Sequence, residues 1–83
     1  MRFAIRVDVQ SLEGVADPQG QTIERALPAL GFVGVESVQV GKLIRFVLEA
    51  DDAEAARAEA EAMCASLLAN PVIERATVTV DAP

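Results

Sequence analysis

The chain has no histidine, no tryptophan and no tyrosine, and it carries one cysteine, Cys64. Each absence removes a class of chemistry. Without histidine, the side chain that most often moves protons near neutral pH is missing, and no Cys/His zinc site is spelled out. One cysteine cannot close an internal disulfide, and a lone thiol fits a reducing compartment. The only aromatics are Phe3, Phe32 and Phe46, too few to make a platform for bases. Basic side chains are also scarce, seven against thirteen acidic ones, and the net charge of −6 disfavours nucleic acid and anionic membrane. No apolar run approaches the ~20 residues needed to cross a bilayer. The opening MRFAIRVDVQ alternates and so differs from a signal peptide. The expectation is a cytoplasmic chain with no nucleic-acid or membrane partner.

What is present is one small domain spanning residues 1–83. A core of this size rarely supplies more than ~3–5 kcal/mol unaided. With disulfides and metal missing from the sequence, self-association is the natural supplement.

Along residues 2–10, Phe3, Ile5, Val7 and Val9 alternate with polar neighbours, the period of a half-buried strand. Asp17-Pro18 then supplies a helix N-cap and a first-turn proline. Ile23, Ala26, Leu27 and Leu30 follow at helical spacing, and Gly31 suits the left-handed position that closes a helix. Pro28 falls inside that run and predicts a kink or an altered last turn. VGVESVQV, residues 33–40, reads as a strand with a bulge between Val35 and Val38. Gly41-Lys42 reads as a hairpin turn with Gly41 at positive φ, leading into the strand LIRFVLE.

Asp51 followed by Glu54 resembles a capping box, and AEAARAEAEAMCASLLAN is rich in helix formers. Ala56, Ala60, Met63, Cys64 and Leu67 form its expected buried stripe. Asn70-Pro71 stops it. In the last strand Val72, Ala76, Val78 and Val80 alternate with Arg75, Thr77 and Thr79. The order β-α-β-β-α-β predicts an α+β, ferredoxin-like two-layer sandwich: a four-stranded, mostly antiparallel sheet with both helices on one face. The other face carries Ala4, Leu43, Val47 and Thr77 among its charges, which makes it the expected dimer face.

No catalytic constellation appears. Cys64 lies on an apolar helical stripe, where a buried structural thiol is expected. Ser11, Ser37 and Ser66 have no base nearby in sequence. Glu54, Glu59 and Glu61 read as a solvated helix face, and Asp51-Asp52 as a cap. DPQGQT lacks the Lys-Ser/Thr of a P-loop, and Asp17 at the helix start would repel a phosphate. No catalytic residue, metal ligand or cofactor contact is therefore expected on this chain.

Four strings go further than periodicity: Asp17-Pro18-Gln19-Gly20, Ala26-Leu27-Pro28-Ala29-Leu30-Gly31-Phe32, Val38-Gln39-Val40-Gly41-Lys42, and Leu67-Leu68-Ala69-Asn70-Pro71-Val72-Ile73-Glu74. In this order and spacing, across nearly the whole chain, they resemble the small PurS-type subunit of phosphoribosylformylglycinamidine synthase. Ala16, where the family usually has Leu, and Pro28 depart from its pattern.

The resemblance implies a non-catalytic subunit in de novo purine biosynthesis. The enzyme is a carbon–nitrogen ligase that converts formylglycinamide ribonucleotide to formylglycinamidine ribonucleotide with ATP and glutamine. It further implies a homodimer or tetramer that joins a glutaminase subunit to a large synthetase subunit. ATP, Mg and glutamine would be used by those partners, with no cofactor on this chain. The residues bearing the strings at turns and helix ends are the expected assembly contacts: Asp17, Pro18, Gln19, Gly20, Gly41, Lys42, Asn70 and Pro71. A reading from another class, with the same fold, is a free-standing dimeric regulatory module that binds a small metabolite. Ligand-induced thermal stabilisation would favour that reading.

Overall fold

A computed structural model describes residues 1–82. Three strands form one antiparallel sheet: β1 (Arg2–Ser11), β2 (Lys42–Glu49) and β3 (Glu74–Asp81), in the order β2-β1-β3. Alternation places Phe3, Ile5, Val7 and Val9 of β1 on one face, all buried, with Val7 fully inaccessible. Helix α2 (Ala53–Met63) closes over them through Ala56 and Ala60, both 0% exposed. A side chain of one methyl group lets the helix backbone approach the sheet closely, so the core is thin and dense. Asp52 caps α2, its Oδ1 accepting from the Ala55 N–H at 2.8 Å. The cap is therefore one residue later than the Asp51–Glu54 pattern predicts.

Helix α1 (Pro18–Ala26) begins at Asp17 with Pro18 in its first turn, as expected. Pro28 has the predicted consequence. The α-helix ends at Ala26, residues Leu27–Leu30 form a tighter 3-10 turn, and Gly31, at φ 94°, closes it. The end of α2 widens instead, into a π-helical turn over Cys64–Leu68. That rotation leaves Leu67 84% exposed, off the stripe expected to be buried.

Three expectations fail. First, the sheet has three strands, and residues 33–40 form none of it. Gly34 at φ 83° and Ser37 at φ 60° take left-handed backbone conformations, which interrupt the continuous extension that a ladder requires. Second, Gly41 is not at positive φ and makes no two-residue hairpin. It is glycine for a different reason: a Cβ there would stand 2.5 Å from the Val9 carbonyl oxygen. Third, the two helices do not share a face. α2 packs on β1 and β3, whereas α1 packs on its own 3-10 turn and has no substantial packing on the sheet among the described residues. Val72 is also outside its predicted strand, 79% exposed in the turn before β3.

The displaced α1 makes the molecule long. Its extents are 51 × 27 × 14 Å and its radius of gyration is 16.3 Å, against about 12 Å for a compact chain of this length. The accessible surface is 5996 Å², against about 4,800 Å² for a compact monomer of this mass.

Candidate interface at one end of the sheet

Where β1 ends, parts of three of the four strings singled out in the sequence come together. Asp17 acts twice. Its Oδ1 accepts from the Gly20 N–H at 3.1 Å, the helix cap, and its Oδ2 accepts from the Val40 N–H at 2.9 Å. Two turns along, Glu24 Oε1 accepts from the Val38 N–H at 2.9 Å. Residues 38 and 40 point the same way in extended chain, so two carboxylates spaced along α1 satisfy two alternate amides of the segment that follows. Gly20 is the one buried residue of α1. A Cβ there would meet the Val38 carbonyl oxygen at 2.5 Å, so backbone touches backbone at this point. The first and third strings, Asp17–Gly20 and Val38–Lys42, are thus parts of one junction. Pro18 and Gln19 are exposed on the first turn of α1 beside it.

Gly41 seats this junction against β1 at Val9, and Lys42 pairs with Val9 as β2 begins. Asn70 and Pro71 lie near the same end of β1 but on the β3 side. The Leu12 N–H donates to the Ile73 oxygen at 2.9 Å, Asn70 Oδ1 accepts from the Val72 N–H at 3.1 Å, and Glu74 Oε1 accepts from the Asn70 N–H at 2.8 Å. Asn70 is therefore a turn former, and exposed Pro71 stands in front of it. Glu24 escaped the sequence reading. The available signal was its spacing of seven residues from Asp17, which sets both acids on one side of α1.

Ala4, Leu43, Val47 and Thr77 do share the sheet face opposite α2. Ala4 is paired with Val47, and Asp8 stands between Leu43 and Thr77. Cys64 follows α2 at the start of the π-helical turn and is 8% exposed. Burial pushes its thiol pKa up, and the neighbouring Glu61 carboxylate adds to the rise. A thiol held in its neutral form is a poor nucleophile. Among the described residues, no three His, Cys, Asp or Glu side chains come together to hold a metal ion. No helix is long and apolar enough to cross a membrane among those residues.

The PurS family, described as phosphoribosylformylglycinamidine (FGAM) synthase, matches residues 4–82. The chain belongs to the PurS family. It is 43% identical over 79 residues to the PurS subunit of phosphoribosylformylglycinamidine synthase from Methanocaldococcus jannaschii, covering 95% of each chain. It superimposes on the crystal structure of the Thermotoga maritima PurS subunit with a TM-score of 0.89 at 36% identity, over 96% of this chain and 92% of that one. A chain of the solved structure of PurLQS from Thermotoga maritima matches with a TM-score of 0.88, at 36% identity, over 96% and 98% of the two chains. The small α+β fold seen here, two helices and a three-stranded antiparallel sheet, is the fold of these PurS structures. The metabolite-binding module is not favoured by any of these matches.

Proposed function

We propose that this chain is the connecting subunit of a cytoplasmic phosphoribosylformylglycinamidine synthase, seating a glutaminase subunit against a synthetase subunit as a homodimer. ATP, Mg and glutamine are then handled by the partners, and the reaction is the amidination of formylglycinamide ribonucleotide. The observation that carries the reading is the mismatch within the monomer. The inward face of β2 keeps Ile44, Phe46 and Leu48 partly exposed, without substantial helix packing above it among the described residues. Meanwhile α1 holds Ile23 44% exposed, and Leu30, Phe32 and Val33 beyond it are 59–80% exposed. A second copy supports both needs, its α1 lying where this chain's sheet is bare. The Asp17–Glu24 junction stiffens that arm, and the strings at the β1 end are placed to meet the larger partners.

A connector suits the chemistry. Ammonia released by a glutaminase attacks only as the unprotonated amine, so it has to be kept from bulk water on its way to the second site. Fixing two active sites in one relative geometry allows a closed passage between them. Omitting this chain from the reconstituted complex should leave ammonia-dependent synthesis largely intact while glutamine-dependent synthesis collapses. Equal loss of both activities would place the chain in the synthetase site itself and overturn the connector reading.

A further inference from the structure

A groove of about 260 Å³ runs between the π-helical turn that ends α2 and the edge strand β3. β3 is the edge opposite β2, so the groove lies across the sheet from the strip that β2 leaves bare. The turn contributes Ala65, Ala69 and Pro71 to its lining, and the strand contributes Ala76 and Val78. Two carboxylates complete it, Glu61 from α2 and Glu74 from the start of β3. Nothing positive offsets them. None of the seven basic side chains lines the groove. Arg57 ends beside it, where its Nη1 donates to the Val78 oxygen at 2.8 Å, and it pairs with neither glutamate. The one ion pair among the described residues joins the N-terminal amine to Glu49. Cys64, 8% exposed, also faces this groove, and its Sγ has no hydrogen-bond partner among the described residues.

The backbone around the groove is equally short of donors. Helix-end carbonyls carry partial negative charge that a cation in the last turn would balance, yet α2 and its π turn have no basic residue there. The amides that could satisfy the carbonyls of residues 65–68 are engaged elsewhere. The Ala69 N–H donates to the Cys64 oxygen, the Asn70 N–H to Glu74 Oε1, the Val72 N–H to Asn70 Oδ1 and the Ile73 N–H to the Asn70 oxygen. Pro71 has no N–H to give. On the strand side, the Leu12 N–H donates to the Ile73 oxygen, which fixes the parity of the ladder. Ala76 and Val78 therefore turn their backbone groups outward. Arg57 satisfies the Val78 carbonyl, and so shows how a guanidinium engages this edge. The Ala76 carbonyl has no such partner among the described residues.

The volume falls below the roughly 300–1,000 Å³ of sites that enclose whole metabolites, and the acids repel phosphate. Neither do these acids and the thiol converge as a metal site among the described residues. One cationic side chain meets every demand, its stem along the alanines and its charge at the carboxylates. Arginine suits the groove better than lysine. Its planar fork of five donors reaches two carboxylates and open carbonyls together, and it is more weakly hydrated. We propose that this groove receives an arginine side chain of one enzymatic subunit, its guanidinium held between Glu61 and Glu74 at the end of α2. The proposal rests on the connector reading and gives that reading a contact chemistry at the fourth string. Arginines seated in pockets are among the side chains that dominate interface affinity.

The test is the double variant Glu61→Gln, Glu74→Gln, with the synthetase and glutaminase subunits measured separately. Glutamine keeps an oxygen for the Asn70 N–H, so circular dichroism and the chain's own mass by sedimentation should stay as in the wild type. The Kd for one enzymatic subunit should rise at least about tenfold, and its dependence on salt should flatten. Glu54→Gln, in the first turn of α2, should bind as the wild type does. In the wild-type complex one arginine of that subunit should resist phenylglyoxal, read by mass spectrometry, and in the variant complex it should react. Unchanged affinity for both subunits would overturn the proposal, as would protection of a lysine with no arginine. A variant of altered mass would give the groove to a second copy, and equal weakening by Glu54→Gln would reduce the effect to net charge; each would overturn it. In all four cases the connector reading would stand. A wild-type chain that binds neither subunit would sink that reading and this one with it.

Discussion

The two halves of this molecule bury apolar surface by different means. In the half built from β1, β3 and α2, the strand alternation and the Ala56–Ala60 stripe meet inside one chain, and Val7, Val9, Ala56 and Ala60 are at most 1% exposed. In the other half, α1 and its 3-10 turn are just as patterned, yet their apolar residues face outward and β2 keeps a strip uncovered. The first half is a folded core. The second has helix-forming sequence without a surface of its own to pack on, and what holds its shape is polar: Asp17 and Glu24 bonded to the amides of residues 40 and 38. A protein of this size has little stability to spare. Its apolar core lies where one chain suffices, and the apolar residues of the other half stay exposed.

That contrast is broken most severely at Val7. Val7→Asp puts a carboxylate in a site with no accessible surface and no partner, a cost of several kcal/mol. That is comparable to the whole stability of a small domain. The expected outcome is loss of any cooperative thermal transition by circular dichroism, at every protein concentration. Ile23→Asp on the arm should do the opposite: it retains the transition but removes its dependence on protein concentration. If Ile23→Asp unfolded the chain as Val7→Asp does, the arm would be part of the core and the two halves would be one.

A smaller effect sharpens the polar side. Asp17→Ala removes both the cap and the bond to Val40, at about 1–2 kcal/mol locally. Asp17→Asn keeps a good cap but offers one oxygen where two are used. Amide exchange at Val40 should therefore quicken in both variants, about tenfold for each 1.4 kcal/mol lost. Exchange at the Gly20 amide should quicken chiefly in the alanine variant, while strand amides in β1 stay unchanged. Equal quickening everywhere would mean that junction and core open as one unit.

Much of this was legible in the residues. Alternation identified β1 and the buried face, Asp17-Pro18 marked the start of α1, and Pro28 with Gly31 marked its altered end. What misled was the assumption that a pattern names its partner. Ile23, Ala26, Leu27 and Leu30 show that α1 has an apolar side, but periodicity does not say which chain covers it. Residues 33–40 alternate in hydropathy, yet a strand also needs extended φ throughout, and Gly34 and Ser37 do not supply it. Gly41 fits the pattern of a turn glycine, yet its role is steric, admitting the Val9 carbonyl. The junction was visible in part, as strings. Glu24 was not: its spacing from Asp17 sets both acids on one side of α1, but spacing alone does not say that a carboxylate will bond a backbone amide fourteen residues on.

The smallest expected effect is also the cleanest to isolate. Cys64 packs in the half that one chain completes, and burial next to Glu61 raises its thiol pKa. With no histidine or tyrosine and with Lys42 the one lysine, few other groups titrate between pH 7 and 10. The unfolded thiol ionises at about 8.5, whereas the folded one holds its proton to higher pH. Between those values the folded state binds more protons than the unfolded state, so stability falls as pH rises. Below the thiol's ordinary range this contribution is flat. Melting temperature should therefore decline across the alkaline range in the wild type and decline less in Cys64→Ala. Glu61→Gln should give an intermediate slope by removing the second cause of the shift. Identical slopes in wild type and Cys64→Ala would mean that the thiol is as free to ionise in the folded chain as in the unfolded one, and that α2 does not seal this half of the core.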